Sequence, residues 1–77
     1  MAEIAKFKDR VTGDQPVLVD FFATWCGPCK ALAPILVDVA KTLGGAVRVV
    51  KIDVDRNSAI SQAFQVQGVP TLALFKD

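Results

Sequence analysis

The 77-residue chain has no histidine and only two cysteines. A structural zinc site takes four Cys or His ligands. One copy of this chain cannot supply them, which leaves only a site shared between two chains. Net charge is also nearly absent, at +1 from 9 basic and 8 acidic side chains. With no basic block and no basic amphipathic stripe, nothing points to nucleic acid or an anionic membrane as partner. No apolar run approaches the roughly 18 residues that a membrane-spanning helix needs. At the N-terminus, Glu3, Lys6 and Lys8 interrupt any apolar stretch. That pattern argues against an ordinary signal peptide and for a cytoplasmic protein. Linkers, internal repeats and low-complexity segments are missing too, so residues 1–77 read as one small domain. A hydrophobic content of 52% separates the chain from disordered tails. Its size still limits the surface it can bury, so the stability margin is thin.

What the chain does have is Trp25-Cys26-Gly27-Pro28-Cys29-Lys30, which holds its only tryptophan and both cysteines. The stretch lies between a dense apolar run and a helical pattern. A C-x-x-C pair at a strand-helix junction reads as a dithiol redox site. In a reducing compartment this spacing favours redox catalysis over a permanent staple. The chemistry explains the spacing. One thiol must be ionised and exposed to attack a disulfide, and the second must lie one helical turn away to resolve the mixed disulfide. A helix beginning near Cys26 sets that sulfur beside unpaired N–H groups and the positive end of the helix dipole, which lowers a thiol pKa. Cys26 is therefore the expected nucleophile and Cys29 the resolving thiol. Pro28 suits a first helical turn. Lys30 adds positive field or is a solvated surface residue. The competing reading of the pair is a structural disulfide or two buried thiols.

Ile4, Phe7 and Val11 recur at helical spacing and predict a short amphipathic helix over about residues 2–12. Thr12 to Pro16 is a turn cluster. Val17 to Phe22 is nearly all apolar, as expected of a strand buried on both faces of a parallel sheet. After the cysteines, Leu32, Ile35, Leu36, Val39, Ala40 and Leu43 repeat at helical intervals, and Gly44-Gly45 stops the helix. Pro34 inside it removes one backbone hydrogen bond and predicts a kink. Ala46 to Val54 is a second strand. Asn57 is a good N-cap for a helix with an Ile60, Ala63, Phe64 stripe, and Thr71 to Phe75 is a third strand. The βαβ portion implies a parallel pair with a right-handed crossover.

Asp20 is the odd residue in its strand. A carboxylate among Val, Leu and Phe is costly to bury as an anion, and burial raises its pKa. Beneath the active-site helix it would exchange a proton with Cys29; at the sheet end it would simply be solvated. Perturbed carboxylates in clefts tend to be functional. Lys51, in the neighbouring strand, is either the partner of Asp20 or an ordinary strand-edge lysine. The Val69-Pro70 bond precedes the third strand, and its cis or trans state is open at this level.

The stretches Val19 to Lys30, Ala33-Pro34, Lys51 to Asp55 and Gly68 to Leu72 together resemble the thioredoxin family. The resemblance runs from about Pro16 to Asp77. It implies an α/β fold with a central mixed sheet flanked by helices, and a third strand antiparallel to the first. It implies a protein disulfide reductase with no cofactor beyond the Cys26–Cys29 dithiol. The partners implied are thioredoxin reductase and disulfide-containing substrate proteins. It assigns Asp20 as the proton-handling carboxylate with Lys51 as partner. Trp25, Gly27, Pro28, Val69 and Pro70 become the substrate surface, with a cis Val69-Pro70 bond against the sulfurs and the Val69 backbone pairing with an extended substrate segment. Relatives that oxidise or isomerise disulfides usually carry a histidine between the cysteines; Gly27-Pro28 implies the reducing kind. Family members continue past the third strand with a glycine turn, another strand and a helix. By resemblance, then, the expectation is a C-terminally truncated form that self-associates through Thr71–Phe75. The rival reading is a binding or scaffold module that uses the same groove without turnover.

Overall fold

In the computed structural model, which describes residues 2–76, six elements follow in order: α1 (Ala2–Val11), β1 (Val17–Phe22), α2 (Gly27–Leu43), β2 (Arg48–Asp53), α3 (Ser58–Ala63) and β3 (Thr71–Phe75). The strands form one sheet in the order β2-β1-β3. β1 runs parallel to β2, with Val19 opposite Val50 and Asp20 opposite Lys51. It runs antiparallel to β3, with Val19 opposite Ala73 and Asp20 opposite Leu72. The apolar run Val17–Phe22 is therefore the central strand, as its composition predicts.

Alternation along the strands gives the sheet two different faces. Val17, Val19 and Phe21 of β1 join Val50 and Ile52 of β2 in the main core, closed by Phe7 and Val11 of α1 and Ile60 of α3. Aromatic rings tie this side together. The ring centroids of Phe7 lie 5.2 Å from Phe64 and 5.6 Å from Phe75, and Phe64 and Phe75 are 5.3 Å apart, all edge-on. Such pairs stabilise beyond their buried area. The opposite face carries Leu18, Asp20 and Phe22 of β1 and is the side on which α2 packs.

Several local expectations change. β2 starts at Arg48 rather than Ala46 because the Ala46 N–H still bonds the Leu43 carbonyl, whereas Arg48 N–H opens the ladder on Pro16 O. Asn57 precedes α3 but does not cap it with its side chain; the amide nitrogen donates instead to Asp53 O at 3.0 Å. The buried stripe of α3 is Ile60 and Ser61, and Ala63 faces solvent. On α2, Cys29 and Leu36 are buried while Ile35 is 56% exposed. A single helix touching a sheet presents a narrow stripe, and Ile35 lies beside it. The helix runs uninterrupted through Pro34 and ends at Gly44, whose positive φ of 60° a glycine adopts freely.

Candidate active site

The site forms where β1 hands over to α2. Cys26 is the N-cap residue of α2, with extended backbone angles of −85° and 111°. Its own N–H bonds Ala23 O, and its carbonyl accepts the Lys30 N–H, the first bond of the helix. Pro28 falls in the first turn, where no partner for its nitrogen is needed. The backbone N–H of Cys29 donates to Cys26 Sγ at 3.1 Å. One helical turn thus brings the cysteine Cα atoms to 5.3 Å, and the two residues are joined as a disulfide. With Ala23 they form a second small buried cluster, against which Phe22, Val54 and Val69 pack.

Residue exposure does not distinguish the two cysteines in this oxidised state: Cys26 is 3% exposed and Cys29 5%. The expectation of an open Cys26 is thus not met by the disulfide form. Around the pair, Gly27 and Pro28 are exposed, Val69 is half-buried and Pro70 is exposed. The Val69-Pro70 bond is cis.

Asp20 is 1% exposed, so it is not solvated at the sheet end. Its Oδ1 has no hydrogen-bond partner among the described residues. Burial pushes its carboxyl above the ordinary value of 3.8, and the charge of Lys51 opposes that rise. Lys51 stands opposite Asp20 in the sheet register, but its side chain is exposed and its Nζ sits 5.0 Å from the centre of the Phe22 ring. Its effect on Asp20 is therefore a field effect rather than a contact.

Trp25 is 69% exposed yet tethered, because its ring N–H donates to Asp55 Oδ2 at 2.9 Å. Asp53 holds that partner loop, accepting the Asp55 N–H at 2.9 Å on its own Oδ1. Sequence reasoning noted the Lys51 to Asp55 stretch but gave the two aspartates no role. A bond across 30 residues leaves no periodic trace; two acids at the end of a strand were the available signal. Trp25, Val54, Val66, Gly68 and Val69 enclose a small groove of about 150 Å³. Among the described residues no cluster of three or more His, Cys, Asp or Glu is placed to hold a metal ion. Among the described residues no helix is long and apolar enough to cross a membrane.

A parallel βαβ unit with a C-x-x-C disulfide on its helix N-terminus and a cis-proline loop beside it defines a thiol-disulfide exchange domain. Comparison with known proteins narrows the class. The thioredoxin family model matches residues 1–77. A thioredoxin-like protein of Synechocystis is 51% identical over 75 residues, covering 96% of this chain and 71% of its own length. A Mycobacterium tuberculosis thioredoxin is 51% identical over 69 residues, covering 90% of this chain and 60% of its own. For the chloroplastic thioredoxin Y2 of Arabidopsis thaliana the values are 50% over 64 residues, 83% and 38%. The crystal structure of oxidised mitochondrial thioredoxin 3 from Saccharomyces cerevisiae superposes with a TM-score of 0.88 at 37% identity, covering 95% of this chain and 68% of that one. The chain belongs to the thioredoxin family. The chain spans 38% to 71% of the length of these curated relatives, and its Cys26–Cys29 disulfide lies at the N-terminus of α2.

Proposed function

We propose that the chain reduces disulfides of other proteins and is itself recharged by a thioredoxin reductase. The observation that carries this reading is the Cys26–Cys29 pair on the N-terminus of α2, with the Cys29 N–H directed at Cys26 Sγ. An N–H donor and the positive helix end both favour negative charge on that sulfur. In the reduced protein the Cys26 thiolate attacks one sulfur of a substrate disulfide and expels the other as a thiol. Cys29 then attacks the mixed disulfide at Cys26, releases the second substrate thiol, and restores the Cys26–Cys29 bond. Two electrons pass from the dithiol to the substrate. Asp20 accepts the proton that Cys29 gives up, and Lys51 tunes Asp20 through its field. Trp25, Gly27, Pro28, Val69 and Pro70 form the docking surface, with Asp55 fixing the Trp25 ring.

This reading needs no cofactor other than the dithiol, and it places the protein in a reducing compartment, the cytoplasm. It also includes self-association through β3. Leu72 and Leu74 are 46% and 61% exposed, and β3 pairs with β1 on one side only among the described residues. A strand edge of that kind invites a second copy. Insulin reduction with dithiothreitol as electron source tests the activity. Turnover that vanishes in Cys26→Ser supports it; binding of disulfide proteins without turnover supports the scaffold reading instead.

A further inference from the structure

The Trp25 ring is held through a short turn at the end of β2, and one carboxylate closes that turn. Asp53 is the last residue of β2 and stands opposite Phe22 in the parallel register. Its Oδ1 accepts the backbone N–H of Asp55 at 2.9 Å and that of Arg56 at 3.4 Å. A short acidic side chain here takes the place of a backbone acceptor and fixes the residues that follow it, as in an Asx turn. The Asp53 carbonyl closes the same turn from its far end, accepting the Asn57 N–H and side-chain amide, each at 3.0 Å. Between these bonds sit two residues of the site. Val54 gives its N–H to Phe22 O at 2.9 Å, packs on the Ala23, Cys26 and Cys29 cluster, and walls the docking groove. Asp55 accepts the ring N–H of Trp25, which walls the same groove. Trp25 and Asp55 are both exposed, so little packing orients either of them. The ring is therefore as fixed as the turn that carries its acceptor. Asp53 itself does not line the groove.

We propose that Asp53 is a positioning residue for substrate docking: by fixing the turn over residues 53–57 it sets where Trp25 and Val54 stand, and so shapes the groove that receives a protein disulfide. The inference rests on the disulfide-reductase reading, which makes that groove a docking surface. Its effect falls on docking rather than on the dithiol, because the N–H that faces Cys26 Sγ belongs to α2. A small disulfide with no extended segment lays nothing in the groove and is indifferent to Asp53. Asparagine keeps an acceptor oxygen at the same place and retains the turn, whereas alanine removes it. Asp53 and Asp55 act on Trp25 in series, so their losses do not add.

The test uses the full chain with Asp53→Ala, Asp53→Asn, Asp55→Ala and the Asp53→Ala, Asp55→Ala double variant. Insulin reduction with dithiothreitol as electron source gives KM and kcat. Single-turnover oxidation of the reduced protein by bis(2-hydroxyethyl) disulfide reads the dithiol alone. Asp53→Ala should raise KM for insulin about threefold or more, the scale of losing a hydrogen bond to a charged acceptor. Its kcat and its rate with the small disulfide should stay within about twofold, as for substitutions away from the reacting atoms. The fluorescence anisotropy of Trp25, the only tryptophan, should fall in Asp53→Ala and be restored in Asp53→Asn, together with KM. Adding Asp53→Ala to Asp55→Ala should change KM little further. Should the alanine variant not fold, hydrogen exchange of the unaltered protein decides: the Asp55 amide, though on an exposed residue, should be protected relative to an unstructured peptide. An unchanged KM in Asp53→Ala, an equal loss with insulin and the small disulfide, multiplying effects in the double variant, or an unprotected Asp55 amide overturns the proposal. If the unaltered protein still reduces insulin, only the role of Asp53 fails; if it does not, the reductase reading fails with it.

Discussion

Replacing Asp20 by asparagine should make the protein more stable at neutral pH, and the gain should depend on pH in a defined direction. Asp20 is buried, its Oδ1 is unpartnered, and desolvation raises its pKa against the opposing field of Lys51. Below the unfolded carboxylate pKa of about 3.9 both states are protonated and ionisation has no effect on stability. As pH rises above that value the unfolded carboxyl ionises while the folded one resists. Stability is lost through this window, until the folded carboxyl has titrated as well. Asparagine cannot ionise, so the variant escapes the loss. A buried unsatisfied polar group costs roughly 1–3 kcal/mol, and more when charged, so a gain of about 1–2 kcal/mol at pH 7 is reasonable for a neutral isostere that keeps one unpaired acceptor. For a domain of this size each kcal/mol corresponds to roughly 4–8 °C in Tm. Urea titrations of both proteins from pH 3.5 to 8 measure the difference. Lys51→Met should widen it, because the opposing field is removed. An asparagine variant that is equally or less stable at pH 7, or a difference independent of pH, would refute the burial argument. In the same variant Cys26 attack should persist while release through Cys29 slows, which single-turnover insulin reduction separates.

In the reduced protein, Cys26 should react with iodoacetamide several times faster than Cys29, because the Cys29 N–H and the helix end favour its thiolate; mass mapping of partial alkylation checks this, and equal labelling removes the assignment of roles. Asp55→Ala should free the Trp25 ring and raise KM for insulin more than it lowers kcat, with a change in Trp25 fluorescence anisotropy to show the lost tether. Phe7→Ala should cost about 3–5 kcal/mol, a large share of the margin of a small domain, and chemical denaturation followed by circular dichroism reads it. Light scattering over a concentration series should show association through β3, and a Leu72→Lys, Leu74→Lys double variant should reduce it; a concentration-independent monomer removes that surface from the reading.

The central strand, the three helices and the third strand were legible because each carries its own periodicity or composition. Val17–Phe22 needs no partner to declare itself a doubly buried strand, and the Cys26 to Cys29 spacing already contains a helical turn. What escaped depends on encounters between distant segments. The Trp25–Asp55 bond joins residues 30 apart, and no local pattern marks it. Ile35 fits the helical stripe of α2 by spacing, yet is 56% exposed, because burial depends on how much sheet lies beneath the helix. Asn57 has the composition of a side-chain cap, but Asp53 O competes for its amide. A cavity beside Cys29 is likewise assembled by α2, β2 and the β1–α2 connection, and only their meeting creates it.

The alternation of β1 explains why one buried carboxylate is tolerated in so small a domain. Val17, Val19 and Phe21 face the aromatic side, where Phe7, Phe64 and Phe75 close over them. The next residues in the same strand, Leu18, Asp20 and Phe22, face α2 and the cysteines. A slip of one residue would exchange the two sets, placing Asp20 among the phenylalanines and removing Val19 and Phe21 from the core. Pairing to β2 and β3 on both sides of β1 resists that slip. The cost of desolvating Asp20 is thus borne by a strand whose other face lies in the main hydrophobic core. The same register sets Lys51 directly opposite Asp20, so the charge that limits its pKa rise comes with the fold. Stability and redox chemistry are divided between the two faces of one six-residue strand.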